Sequence, residues 1–283
     1  MRKSFVANTA PVLTGVVRAR TPFEAMKQVR ESELKGAKGI DLHLSCLDDQ
    51  YKNVESIKQI IEFSKLPILV LNYNQTMEWD VFETSEEERI NLLMMGLEAG
   101  AAGVDIQGYT FDRPSHFAFD EKFADADYSF IKNKPREVVV NPEIIKKQCE
   151  LIDRVHSMGG EVLLSNHLLK PMKTEELVDL CHFLEERKPD IIKIVCHCDT
   201  EEEMLESFRS MLTLKREIKT PVTLFCNGKT GMYTRILNPI FGGYMVFTPA
   251  SQDAYSFGQL DLETAKRVYD GIECFLGDFY KGE

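Results

Sequence analysis

Eight short apolar runs, alternating with longer amphipathic stretches, predict an α/β chain folded as a (β/α)8 TIM barrel. The strand-like runs number eight. Helical patterns separate them, as parallel strands require of their connections. No Gly-x-Gly-x-x-Gly follows the first run and no Walker-type loop is present, which removes the usual motive for an open, doubly wound nucleotide-binding sheet. The 283 residues fit one barrel, so residues 1–283 are expected to form a single domain.

The strand candidates, in chain order, are Val12–Val17, Gly39–Leu44, Pro67–Asn72, Gly103–Gln107, Glu161–Ser165, Ile191–Cys196, Pro221–Cys226 and Tyr244–Thr248. Between them, Thr21–Leu34 opens with a Thr-Pro pair, a capping side chain followed by a proline suited to the first helical position. Val54–Ser64, Ser85–Glu98, Pro142–Met158, Thr174–Arg187, Thr200–Arg216 and Leu262–Phe275 complete the helical patterns. Acids crowd the first turns after Thr174 and Thr200, where the helix dipole favours them. Glu86, Glu87 and Glu88 read the same way, as a capped and solvated helix start, and Trp79 just before them reads as packing. One segment breaks the rhythm. Residues 109–141, after the fourth strand, are too long for a plain βα loop and carry eight Phe, Tyr and His residues among acids and prolines. They read either as a lid or subunit contact on the C-terminal face of the barrel, or as a flap packed on the outer helices.

A net charge of −11 argues against nucleic-acid backbones and anionic membrane surfaces, both of which reward clustered Lys and Arg. No run is long and apolar enough for a membrane span, and the basic N-terminus lacks the apolar stretch of a signal peptide. Seven cysteines, an odd number in a long chain, suggest reduced thiols and a cytoplasmic protein.

Lys193 is the most informative residue. It lies in Asp190-Ile191-Ile192-Lys193-Ile194-Val195-Cys196, otherwise an apolar strand. A lysine buried there tends to give up its proton, and a neutral amine in a dry pocket is the nucleophile of imine chemistry. The alternative is a lysine snorkelling from a strand edge, but a strand covered on both sides favours the buried amine. His167 ends Leu163-Leu164-Ser165-Asn166-His167, just past the fifth strand and on the same barrel face. Neighbouring strands lie ~4.8 Å apart, so both side chains can reach one substrate, and an imidazole can move a proton both ways. Arg235, beyond the seventh strand, could clamp a carboxylate or could be a surface arginine on a short helix. Gln259, after the last strand, could bond a hydroxyl or carboxylate. Cys196-His197-Cys198 lacks a second ligand pair and is read as core thiols with a loop histidine rather than as zinc ligands.

These residues resemble the type I 3-dehydroquinate dehydratase family. The matching pieces are Leu164-Ser165-Asn166-His167, Asp190-Ile191-Ile192-Lys193-Ile194, Gly228-Lys229-Thr230-Gly231 with Arg235, Phe241-Gly242 with Phe247, and Gly258-Gln259, in family order and at similar spacing. The resemblance spans roughly residues 10–275 and is strongest from about 160 onward. It implies a (β/α)8 barrel, often a homodimer, acting on a small ketoacid with neither metal nor organic cofactor. By that resemblance Lys193 forms an imine with the substrate ketone. His167 helps make and hydrolyse the imine and moves protons at the neighbouring carbon and the departing hydroxyl. Arg235 and Gln259 hold the carboxylate side.

The first half departs from the family pattern. Asp41-Leu42-His43 stands where the family carries Glu-x-Arg, so Asp41 and His43 become the substrate-facing residues of that strand. Leu71-Asn72-Tyr73-Asn74 lacks the arginine that ends the family's third strand. Met77 falls nearest the acid expected to orient the histidine, so its neighbour Glu78 is taken for that role, and Tyr255 or Ser256 stands at the family's substrate-binding serine. These losses bear on substrate recognition more than on the Lys–His chemistry, because arginine at a bidentate site has no close substitute. The expected activity is loss of water from 3-dehydroquinate or a related cyclic hydroxy-ketoacid. The competing expectations are a class I aldolase-like cleavage from the same imine, and a non-catalytic ligand-binding barrel.

Overall fold

The computed structural model describes residues 2–73, 84–112, 137–168, 170–251 and 258–280. Eight parallel strands form one sheet: β1 (Val12–Val17), β2 (Gly39–His43), β3 (Ile68–Leu71), β4 (Gly103–Gln107), β5 (Glu161–His167), β6 (Ile191–His197), β7 (Val222–Asn227) and β8 (Met245–Pro249). Each strand from β1 to β6 pairs with the next in sequence, and β8 returns to β1 through Val12↔Met245 and its successors. The last gap, between β7 and β8, is bridged by Tyr244 N–H donating to Val222 O (2.8 Å) and by Met245 N–H donating to the Thr223 hydroxyl oxygen (2.8 Å). The fold is a (β/α)8 barrel, as the alternation of runs predicts.

The helices are α1 (Pro22–Leu34), α2 (Val54–Phe63), α3 (Glu86–Glu98), α4 (Pro142–Ser157), α5 (Thr174–Glu185), α6 (Glu201–Glu217), α7 (Met232–Leu237) and α8 (Leu262–Tyr280). Their starts follow local chemistry. Thr21 caps α1 ahead of Pro22, Asn141 caps α4 ahead of Pro142, and Ser85 and Thr200 form capping boxes with Glu88 and Glu203. Glu86 differs from its sequence reading. It is not a solvated acid but pairs with the fully buried Arg89 and accepts from Phe111 N–H (2.9 Å). Cys196 and Cys198 are buried thiols, as expected.

Strand parity sorts the side chains into two sets. Val17, Ile40, Leu42, Val70, Val104, Ile106, Leu164, Ile192, Ile194 and Leu224 pack outward against the helices. Val12, Val16, Leu69, Leu163, Ile191, Val195, Phe225, Met245 and Phe247 pack inside the barrel. The same parity turns Arg18, Asp41, His43, Tyr73, Asp105, Ser165, His167 and Lys193 inward, with Asp41, Asp105 and Lys193 at mid-strand and the others at or near the C-terminal ends of their strands. The barrel is thus apolar at its N-terminal end and polar at its C-terminal mouth.

Phe5 plugs the apolar end. Its ring is 1% exposed and packs with the inner cluster. Its N–H donates to the Glu161 carboxylate (2.7 Å), and its carbonyl accepts from the Tyr244 hydroxyl (2.9 Å). Gly39 makes room for the ring, since a Cβ there would lie 2.3 Å from Phe5 Cε1. Phe5→Ala should therefore cost about 3–5 kcal/mol in urea unfolding, the range for truncating a buried aromatic. A loss below about 1 kcal/mol would show that the plug is not part of the core.

Candidate active site

The side chains at the polar mouth converge on Lys193. Its residue is 6% exposed and pairs by register with Ser165 on β5 and Thr223 on β7. The amine donates to the Tyr73 hydroxyl oxygen at 3.0 Å and lies 3.4 Å from Asp105 Oδ2. The Tyr73 hydroxyl in turn donates to Asp105 Oδ2 (2.9 Å), while Ser165 Oγ donates to Asp105 Oδ1 (2.5 Å). One buried carboxylate thus gathers three donors. The Phe247 ring, centred 4.8 Å from Nζ, forms an apolar wall beside the amine. Burial, reinforced by the charge of Asp105, holds the Tyr73 hydroxyl well above the ordinary tyrosine range, so it keeps its proton.

His167 is the last residue of β5 rather than a loop residue beyond it. Its ring meets the Tyr73 ring edge-on with centroids 5.5 Å apart. Its Nδ1 lies 2.9 Å from Glu137 Oε2, which also accepts the His167 backbone N–H at 2.8 Å. A carboxylate on Nδ1 favours the tautomer with the proton there, leaving Nε2 as the proton acceptor. Glu137 is 3% exposed and sits at a left-handed backbone position (φ 64°). Gly108 allows its approach, because a Cβ on that glycine would lie 2.2 Å from Glu137 O. Glu78, Ser256, Tyr255 and Trp79, all weighed from sequence, lie outside the described residues, as do residues 113–136 of the 109–141 segment.

Asp41 and His43 both face inward from β2, with Asp41 Oδ2 3.5 Å from His43 Nε2. Burial dominates at His43 and lowers its proton affinity. Asp41 opposes this, while Arg18 and Lys193 add to it. Asp41 Oδ1 has no hydrogen-bond partner among the described residues, which leaves an acceptor for a substrate hydroxyl. Arg235 is on α7, where Nη2 donates to Asn227 Oδ1 (2.5 Å) and the guanidinium lies 4.2 Å over the Phe225 ring. Burial lowers its pKa to about 10, which still leaves a cation at neutral pH. Phe225 meets Phe247 edge-on, so an aromatic pair separates Arg235 from the amine. Gly258 abuts Met232 at the start of α7, directly before Gln259. Among the described residues no group of His, Cys, Asp or Glu is arranged to hold a metal ion, and no helix is long and apolar enough to cross a membrane.

Sequence reasoning missed Tyr73, Asp105, Ser165 and Glu137 as site residues. Asp105 carried a usable signal: it is a charged residue at an inward position of an apolar strand, the same argument that singled out Lys193. Glu137 carried none, since it follows a long segment without periodicity.

Fold and mouth together define a class: a parallel (β/α)8 barrel enzyme with a buried lysine amine beside a carboxylate-bound imidazole. Comparison with known proteins narrows the class. The sequence model of the type I 3-dehydroquinase family matches residues 128–273, just over half of the chain, and the chain belongs to that family. It is accordingly an enzyme, a carbon–oxygen lyase. The 3-dehydroquinate dehydratase of Methanococcus maripaludis strain C5 is 25% identical over 228 residues, covering 80% of this chain and 85% of that protein. The Alkaliphilus oremlandii enzyme of the same name is 30% identical over 125 residues, covering 43% of this chain and 48% of that protein. The crystal structure of the 3-dehydroquinate dehydratase of Geobacillus kaustophilus superposes with a TM-score of 0.72 at 14% identity, over 95% of this chain and 93% of that one.

The depressed proton affinity of His43 makes the folded state lose stability as pH falls. Above its ordinary pKa of 6.5 both folded and unfolded states are neutral there. As pH falls through 6.5 the unfolded chain takes up a proton that the folded site resists, so stability is lost. Between pH 7.5 and about 5.5, wild-type protein should lose more melting temperature than His43→Gln. Parallel curves for the two proteins would overturn this reading.

Proposed function

We propose that the chain eliminates water from 3-dehydroquinate, or a cyclic hydroxy-ketoacid close to it, through an imine on Lys193. The observation that carries this reading is the inward, buried amine of Lys193 on the strand next to an imidazole whose Nδ1 is held by Glu137. The amine attacks the ketone carbon, and loss of water gives a protonated imine that serves as an electron sink. His167 Nε2 then removes a proton from the carbon beside the imine, the C–H pair forms a C=C bond, and the C=N π pair moves to nitrogen, giving an enamine that can expel the hydroxyl. The same imidazole, now protonated, delivers its proton to the departing hydroxyl. Hydrolysis of the imine releases the conjugated enone product.

Recognition follows from what surrounds the amine. Arg235 offers a cation for the substrate carboxylate, and Gln259 adds a polar contact. Asp41 and His43 suit ring hydroxyls, Phe247 covers the apolar face of the ring, and Ser256 is carried as a further hydroxyl contact. With His43 in place of one family arginine and none in Leu71-Asn72-Tyr73-Asn74, the site has fewer cations than the family pattern. This supports a preference for the neutral, hydroxylated part of the substrate on the β2–β3 side. No observation favours carbon–carbon cleavage or binding without catalysis over this reading.

Incubation with 3-dehydroquinate should produce an enone absorbance, and borohydride should fix a mass adduct on Lys193. Lys193→Ala should abolish both, and His167→Ala should still give the adduct, slowly, with turnover reduced about 10²–10⁴-fold. Normal turnover in either variant defeats the assignment. Glu137→Gln keeps the size of the side chain but exchanges an anion for an amide that can donate to Nδ1. It should lower kcat by at least about 10²-fold while leaving borohydride adduct formation within a few-fold of wild type. Unchanged kcat would remove Glu137 from the mechanism.

A further inference from the structure

Imine formation needs two proton movements close to Nζ, one at the amine and one at the substrate oxygen. An ammonium at Nζ must shed a proton before its lone pair can attack. Later, the carbinolamine hydroxyl must gain a proton before it can leave as water. The groups touching Nζ are Tyr73 Oη at 3.0 Å and Asp105 Oδ2 at 3.4 Å, and the Tyr73 hydroxyl is itself bonded to that same Oδ2 at 2.9 Å. We propose that Tyr73 is a catalytic residue that relays a proton between Lys193 and Asp105, forward to free the amine and backward to expel the carbinolamine hydroxyl. The proposal rests on the Lys193 imine reading and deepens it.

The bookkeeping closes. Tyr73 Oη takes one proton from the Lys193 ammonium as its own proton passes to Asp105 Oδ2, leaving a neutral amine, a neutral carboxyl and an unchanged phenol. Nitrogen attacks the ketone carbon, the carbonyl π pair moves to oxygen, and one N–H proton transfers to that oxygen, giving a neutral carbinolamine. Asp105 returns its proton through Tyr73 to the carbinolamine hydroxyl, and the C–O bond breaks. Water departs as the nitrogen lone pair forms the C=N bond. The products are a protonated imine, water and an ionised Asp105, with no co-reactant. The surroundings fit each role. Ser165 Oγ donates to the other Asp105 oxygen, which fixes the carboxylate plane. Burial keeps Tyr73 protonated, so it can pass a proton only by receiving one. The Tyr73 ring is braced edge-on by His43 and His167, which sets the hydroxyl between donor and acceptor.

The test separates this step from the rest. Wild type, Tyr73→Phe and Asp105→Asn are mixed with 3-dehydroquinate, quenched with borohydride at timed intervals and weighed for the Lys193 adduct. Each variant should form the adduct about 10²-fold more slowly, and the double variant no more slowly than either single one. Deuterium uptake from solvent at the carbon beside the imine, counted per trapped adduct, should match wild type, because that transfer belongs to His167. If wild type traps normally and folded Tyr73→Phe traps as fast, the relay is wrong and the imine reading stands. If wild type gives no adduct, both fall. A measurement on wild type alone covers variants that do not fold. Adduct formation in mixtures of H2O and D2O should give a curved rate plot, since two protons move together, and a straight line overturns the relay.

Discussion

An amine enclosed in a barrel has to find its hydrogen bonds among inward-facing neighbours, and this constraint organises the mouth of the molecule. Lys193 reaches the barrel interior by strand parity, and Asp105 does so two strands away by the same parity. Leaving either charge unpaired in a dry site would be costly. Tyr73 and Ser165 complete the set, so that the carboxylate receives three donors and the amine has both a hydroxyl and an anion within reach. The apolar half of the barrel, closed by Phe5, keeps water from the other end of the same enclosure.

The site is assembled from two kinds of support. The amine, Asp105, Ser165, Asp41 and His43 lie on strands, and the ladder of the sheet sets their relative positions. Tyr73 stands two residues beyond the end of β3 and continues its inward parity. Glu137 arrives from the connection between β4 and α4, and its approach depends on the absence of a side chain at Gly108. Arg89, buried beneath that connection, holds Glu86, Gln107 and Thr110 together and so anchors the chain where it leaves β4. The histidine's acid therefore depends on packing rather than on strand register.

Much of this was legible in the sequence because it follows from periodicity. All eight strands and seven of the helices fall where apolar alternation and capping residues place them. Boundaries slipped where polar residues continue a strand: β5 runs on through Asn166 to His167, and β6 through His197, since inward polar residues at a mouth do not look like strand. The short helix α7 has too few turns to show a period. Lys193, His167 and Arg235 could be read because each is an exception to its surroundings. Asp105 is an equal exception and could have been read the same way. Tyr73 could not, since a tyrosine in a strand-like run is ordinary, and only its hydroxyl contacts give it meaning. Glu137 was hidden because no local rule connects it to His167 across 30 positions of chain.

The seam between β7 and β8 is closed partly by a side chain, with the Thr223 hydroxyl standing where a neighbouring strand would ordinarily offer a carbonyl. Thr223 is also the register partner of Lys193. The ring of strands is therefore fastened right beside its reactive nitrogen in part by a side chain rather than by a strand-to-strand ladder. Closure of the ring at the level of Lys193 thus depends on one hydroxyl as well as on the backbone.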